Sequence, residues 1–111
     1  MDREIFAREI SSKRKRLETL AQQIWENPEE PFQETIAARL VAELLEQEGF
    51  QVERGAGGVP TALRAVWGHG SPVIGLLGEY DALPGMSQTH STHKEPIEGQ
   101  AYGQGCGHNL L

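Results

Sequence analysis

A chain of 111 residues with a formal net charge of −6 and a single cysteine is near the size of one small domain. Its acidic balance, with no basic stripe interleaved with aromatics, argues against nucleic acid as a partner. The lone Cys106 cannot form an internal disulfide, which fits a reducing compartment. The amino terminus MDREIFAREISSKRKR is charged from its second residue and lacks the apolar stretch of a secretion signal. No apolar run approaches the roughly 20 residues of a membrane span, so a soluble, cytoplasmic protein is expected.

Taken in order, residues 2 to about 26 read as a helix. Ile5, Phe6 and Ile10 make one apolar group; Leu17, Leu20, Ala21, Ile24 and Trp25 make a second at i, i+3, i+4, i+7 spacing. Between them lies Lys13-Arg-Lys-Arg16, read as a solvated face partly neutralised by Glu4, Glu9 and Glu18. Asn27-Pro28-Glu-Glu-Pro31 stops this helix, because proline disfavours the α conformation in the residue before it. A second helix is predicted from about Phe32 to Glu48, where Phe32, Ile36, Leu40 and Leu44 recur every four residues. Gly49 and Phe50 are placed to end it in a Schellman motif.

Phe50 to Glu53 is a short strand candidate, and Gly55-Ala-Gly-Gly58 a flexible link. Thr61 to Trp67 alternates and is β-prone, and the turn Gly68 to Pro72 returns the chain into Val73 to Leu77 as a predicted hairpin. That last run, Val-Ile-Gly-Leu-Leu, has the composition of a strand buried on both faces. From Gly85 to Gln104 no periodicity survives, and a long functional or disordered loop is expected. These elements make an α/β chain: two helices followed by a small mixed β-sheet.

Two segments carry chemistry. Glu79 and Asp81 stand where the Val73 to Leu77 run gives way to Pro84-Gly85, at the carboxyl end of the predicted strand, where open α/β sheets bind ligands. They read either as a metal ligand with a carboxylate orienting an imidazole, or as two solvated turn carboxylates. Cys106 and His108 lie in Gly103-Gln-Gly-Cys-Gly-His-Asn109. A Cys-x-His pair is too solitary for a zinc finger, which needs four ligands. It reads as two ligands of a site completed elsewhere, or as a glycine-rich turn around a buried free cysteine. If Asn109-Leu-Leu111 begins a helix, its dipole favours the thiolate at Cys106. His90 and His93, three residues apart, and the turn residue His69 read as free histidines. The glycines do not form a dinucleotide fingerprint after a strand.

Together, GEYDALPG and, about twenty residues later, GxGCGHN resemble the aminoacylase and carboxypeptidase-type metallopeptidases, and within them the amidohydrolase subgroup. NPEEPFQE and LLEQEGFQV resemble the opening helices of that family, so the likeness covers nearly the whole chain. It implies that residues 1–111 are the amino-terminal portion of a zinc-peptidase-like catalytic domain. By this resemblance Cys106 and His108 match ligands of a two-metal centre holding zinc or manganese, with cobalt or nickel as alternatives. Asp81 matches the catalytic carboxylate that orients and tunes that centre. Glu79 stands where the peptidase branch has a histidine ligand. The implied reaction is hydrolysis of an N-acyl or aminobenzoyl amino-acid amide by metal-activated water. The family's adjacent Glu-Glu general base has no counterpart after Cys106, so this chain alone is expected to bind metal weakly and not to catalyse. Uncovered apolar faces lead to an expectation of self-association, and the alternative reading is a non-enzymatic truncated module or a subunit completed by a partner chain.

Overall fold

The structure, a computed structural model, describes residues 2–111. Helix α1 spans Arg3–Glu26 and is capped by Asp2, whose side chain accepts from the Glu4 N–H at 3.0 Å. It ends where Asn27 and Pro28 require. Helix α2 spans Thr35–Gln47, and the two pack against each other. The predicted Schellman end of α2 is present: Gly49 adopts φ +89, its N–H reaches the Glu46 carbonyl at 3.0 Å, and the Phe50 N–H reaches the Leu45 carbonyl at 3.0 Å.

The start of α2 differs from expectation. Phe32 lies before the helix with a left-handed φ of +67 and an exposed ring. The α2 residue Thr35 and the chain just before it are organised by carboxylates instead of by the apolar repeat. Glu34 accepts the Phe32 N–H at 2.9 Å and, with its other oxygen, the Thr61 hydroxyl at 2.7 Å. Glu29 reaches across from the linker to accept the Ile36 N–H at 3.0 Å, the Ala37 N–H at 2.9 Å and the Thr35 hydroxyl at 3.0 Å. A carboxylate on free N–H groups at a helix N-terminus satisfies orphan donors and opposes the helix dipole. Glu29→Ala is therefore expected to lower stability by about 1–2 kcal/mol, read as a fall of roughly 5–10 °C in the CD melting midpoint.

The basic run of α1 does more than face solvent. Lys13 and Arg16 both pair with Glu48 just beyond α2, and Arg14 pairs with Glu18 at 2.7 Å. The Lys13 ammonium hydrogen-bonded to it, with Arg16 beside it, holds the Glu48 carboxyl below the usual carboxylate range.

Strand β1 (Gln51–Arg54) pairs antiparallel with β2 (Leu63–Val66), Gln51 opposite Val66 and Arg54 opposite Leu63. The predicted hairpin between β2 and Val73 to Leu77 does not form. That run is in no ladder, and Val73, Ile74, Leu76 and Leu77 are 88, 82, 97 and 94% exposed. A strand buried on both faces needs flanking strands and covering layers. Among the described residues β2 pairs with β1 alone, its other edge stays unpaired, and no strand flanks the run. In place of one mixed sheet there are two separate antiparallel pairs. The second joins β3 (Leu83–Pro84) to β4 (Tyr102–Gly103), Leu83 opposite Gly103.

The buried apolar side chains are small: Ile24 of α1, Ala37, Ala38 and Ala42 of α2, and Ala82. Ile5, Phe6 and Ile10, at the far end of α1, stay exposed. No helix among the described residues is long and apolar enough to cross a membrane.

Candidate metal centre

Two backbone anchors bring the chemistry-bearing segments together. The Ala82 N–H donates to the Glu29 carbonyl at 2.8 Å, fixing the residue after Asp81 against the α1–α2 linker. The β3–β4 ladder, extended by the Gly85 N–H on the Ala101 carbonyl at 2.8 Å, then folds residues 102 to 108 back beside residues 79 to 81. The long loop of residues 85–104 is thus closed at its base and cross-linked within, the Thr89 N–H reaching the Glu95 carbonyl at 3.0 Å.

Side chains alternate across the approach segment. Tyr80 turns inward and donates its hydroxyl to the Thr61 carbonyl. Burial, together with the negative charge of Glu34, pushes that hydroxyl's pKa up, so it remains a donor. Glu79 and Asp81 turn the other way and meet His108. Nδ1 of His108 lies 2.7 Å from Asp81 Oδ1 and 3.1 Å from the Asp81 carbonyl oxygen; Nε2 lies 2.8 Å from Glu79 Oε2. The imidazole is largely buried, Asp81 partly so, and Glu79 about half exposed. Behind it, Asn109 donates its side-chain amide to the Ala21 carbonyl of α1 at 3.2 Å, tying the turn that carries His108 to the helix.

Glu79, Asp81 and His108 offer three potential ligand atoms within 4.8 Å of one another. One imidazole nitrogen with carboxylate oxygens is a donor set that zinc or manganese accepts. With Asp81 accepting from Nδ1, Nε2 would be the nitrogen free to ligate, an arrangement of the kind in which a carboxylate orients a metal-bound histidine. The 2.8 Å separation of Nε2 from Glu79 Oε2 is a hydrogen-bonding distance. Donors in a tetrahedral sphere with bonds near 2.0–2.1 Å stand about 3.3 Å apart. A small outward shift of the half-exposed Glu79 side chain therefore suits the residues to a divalent ion.

Of the residues singled out in the sequence, Glu79, Asp81 and His108 come together, while the Cys106 thiol is exposed and outside the group. Asn109 to Leu111 do not start an α-helix: His108–Leu110 form one 3-10 turn after Gly107, whose φ is +75. A three-residue turn supplies no appreciable dipole to Cys106. His90 stacks on Trp25 with ring centroids 4.1 Å apart, and His93 bonds Ser91 at 2.7 Å, so neither approaches the cluster. His69 is exposed. Sequence reasoning missed the supports Glu29, Glu34 and Thr61; only the polar character of NPEEPFQE at the break between two helices signalled them.

No protein-family model matches the chain. Individual relatives do. Over 106 residues, 92% of this chain, it is 47% identical to a p-aminobenzoyl-glutamate hydrolase subunit of Escherichia coli K12, covering 21% of that protein. It is 37% identical to hippurate hydrolase of Campylobacter jejuni over 83% of this chain and 24% of that protein. Thermostable carboxypeptidase 2 of Saccharolobus solfataricus is 33% identical over 81% of this chain and 23% of that protein. The chain thus spans between a fifth and a quarter of the length of the curated relatives it matches. The motifs GEYDALPG and GxGCGHN and these similarities point the same way: the chain is a relative of the aminoacylase and carboxypeptidase-type hydrolases, its amidohydrolases included.

Proposed function

We propose that this chain is the amino-terminal, metal-site portion of an amidohydrolase catalytic domain that cleaves N-acyl or aminobenzoyl amino acids. The observation that carries the reading is His108 gripped through Nδ1 by Asp81 with Nε2 turned to Glu79. In this reading His108 Nε2 and Glu79 hold a divalent ion, zinc or manganese, and Cys106, whose exposed thiol lies outside the group, becomes a further ligand only when the glycine-rich turn swings it in. A second ion, as the resemblance implies, requires ligands beyond this cluster. When bound, the metal supplies Lewis acidity toward an amide carbonyl and an attacking water. Asp81 holds the imidazole tautomer, and Tyr80, pinned on Thr61, keeps Glu79 and Asp81 facing the same side.

A general base has to reach the attacking water. The two carboxylates at the site are committed to the imidazole, so the chain alone is expected to bind metal weakly and to turn nothing over. Titrating the 111-residue chain with zinc and manganese by calorimetry, and assaying 4-aminobenzoyl-glutamate and benzoyl-glycine hydrolysis on the same sample, tests both halves. Expected is one weak site and no hydrolysis. An absence of any binding sinks the metal-site reading, and turnover by the chain alone sinks its inactivity.

The exposed Val73 to Leu77 run favours a companion reading, in which a partner chain or self-association covers that surface. The Escherichia coli relative is itself named as one subunit of its hydrolase. A cytoplasmic setting is proposed from the free Cys106.

A further inference from the structure

Glu34 is buried without being needed to cap α2. The free donors at the helix start go to Glu29, whereas Glu34 commits its carboxylate to the Phe32 N–H at 2.9 Å and the Thr61 hydroxyl at 2.7 Å. Glu34 and Thr61 are 8 and 6% exposed. Withdrawing a carboxylate from water against neutral donors is an unfavourable way to hold a turn, so what Thr61 holds in its turn matters. Its carbonyl accepts the Tyr80 hydroxyl. The three side chains make one relay, from the α1–α2 linker through the loop ahead of β2 to the residue between Glu79 and Asp81.

Little else supports that segment. Residues 73–81 belong to no ladder, and among the described residues they make no backbone–backbone hydrogen bond. The first such bond after the bare run is the Ala82 N–H on the Glu29 carbonyl at 2.8 Å. One bond fixes a point and leaves the segment free to turn about it; a second point is needed to decide which side its carboxylates face. With the Tyr80 hydroxyl held by Thr61, the alternation of side chains sends Glu79 and Asp81 to the other side, where His108 stands. The half that carries His108 is secured otherwise, by the β3–β4 ladder and the Asn109 amide on the Ala21 carbonyl. There the Tyr102 hydroxyl on the exposed Glu30 is one contact among several.

We propose that Glu34, Thr61 and Tyr80 are positioning residues of the metal cluster, one relay that sets the direction in which Glu79 and Asp81 point. The proposal rests on the metal-site reading for its purpose, while its geometry is independent of any ion. The buried linker carboxylate holds the Thr61 side chain, the Thr61 backbone holds Tyr80, and Tyr80 turns its two neighbours toward the imidazole.

The test takes the 111-residue chain and breaks one contact at a time. Thr61→Val removes the donor to Glu34, Tyr80→Phe the donor to Thr61, and Tyr102→Phe the donor to Glu30 on the other half. Two readouts are taken on samples shown by CD to be folded. One is zinc affinity by competition with a chromophoric chelator; the other is the downfield Nδ1 proton resonance of His108 in the metal-free chain, which persists only while Asp81 holds it. Thr61→Val and Tyr80→Phe are each expected to weaken zinc about tenfold and to abolish the resonance. Tyr102→Phe should stay within about twofold. Thr61→Ser, which restores the hydroxyl, should return both readouts to those of the unsubstituted chain. The relay is overturned if folded Thr61→Val and Tyr80→Phe match the unsubstituted chain, if Thr61→Ser fails to restore the readouts, or if Tyr80→Phe and Tyr102→Phe lose equally. Absence of the resonance from the unsubstituted chain overturns it as well. Should Thr61→Val not fold, Tyr80→Phe, which deletes a single oxygen, decides alone. Zinc binding that neither variant weakens defeats the relay and leaves the metal-site reading; a resonance that depends on the relay in a chain that binds no zinc defeats the metal-site reading and leaves the relay.

Discussion

Replacing His108 by alanine is expected to abolish zinc binding by the chain, a loss of at least 100-fold measured by competition with a chromophoric chelator. The imidazole is the one nitrogen donor in the cluster, and both of its ring nitrogens are engaged, Nδ1 by Asp81 at 2.7 Å and Nε2 by Glu79 at 2.8 Å. Removing it leaves two carboxylates facing each other with nothing between them, an arrangement that repels itself. Asp81→Asn should cost less, about 10–100-fold, because it keeps the shape but withdraws the charge that orients the ring and raises its basicity. The order matters more than either figure. If Asp81→Asn and His108→Ala weaken binding equally, Asp81 is itself a ligand, not the orienting group. If His108→Ala binds zinc as the unsubstituted chain does, the cluster is no metal site.

Gly103→Ala is the substitution expected to damage the fold most. A Cβ there would stand 1.9 Å from the Met86 carbonyl oxygen, 2.3 Å from its carbon and 2.7 Å from the Ser87 nitrogen. All three are backbone atoms with no rotamer to escape into. The clash can be relieved only by parting the chain, and Gly103 is paired with Leu83 in the ladder that returns residues 102 to 108 to Asp81. A loss of about 3 kcal/mol or more follows, read from urea unfolding, together with loss of whatever metal the chain binds. Gly75→Ala is the control, since nothing lies within 4 Å of a Cβ there and its expected change is within about 0.5 kcal/mol. Equal stability of the two variants would mean that the close approach of Met86 to Gly103 is not a feature of the folded chain.

What the sequence determined by itself is local. The extent of α1, the break at Asn27-Pro28 and the Schellman end at Gly49 and Phe50 follow from spacing, proline sterics and glycine's freedom at positive φ, none of which needs a partner far along the chain. The candidate residues Glu79, Asp81 and His108 were likewise legible, as polar side chains set in short apolar or glycine-rich surroundings. Tertiary structure decided everything that depends on what lies opposite. It left Val73 to Leu77 bare, because an apolar run becomes a buried strand only when strands flank it. It set Phe32 outside α2, because the Glu29 carboxylate takes the donors at the helix start and Glu34 holds the Phe32 N–H ahead of it. It chose His108 over Cys106 as the partner of the two carboxylates, because the β3–β4 ladder and the Asn109 anchor fix where the imidazole stands, while the thiol before Gly107 is left facing solvent. Local pattern sets which residues can do chemistry; the pairing of distant backbone segments sets which of them meet.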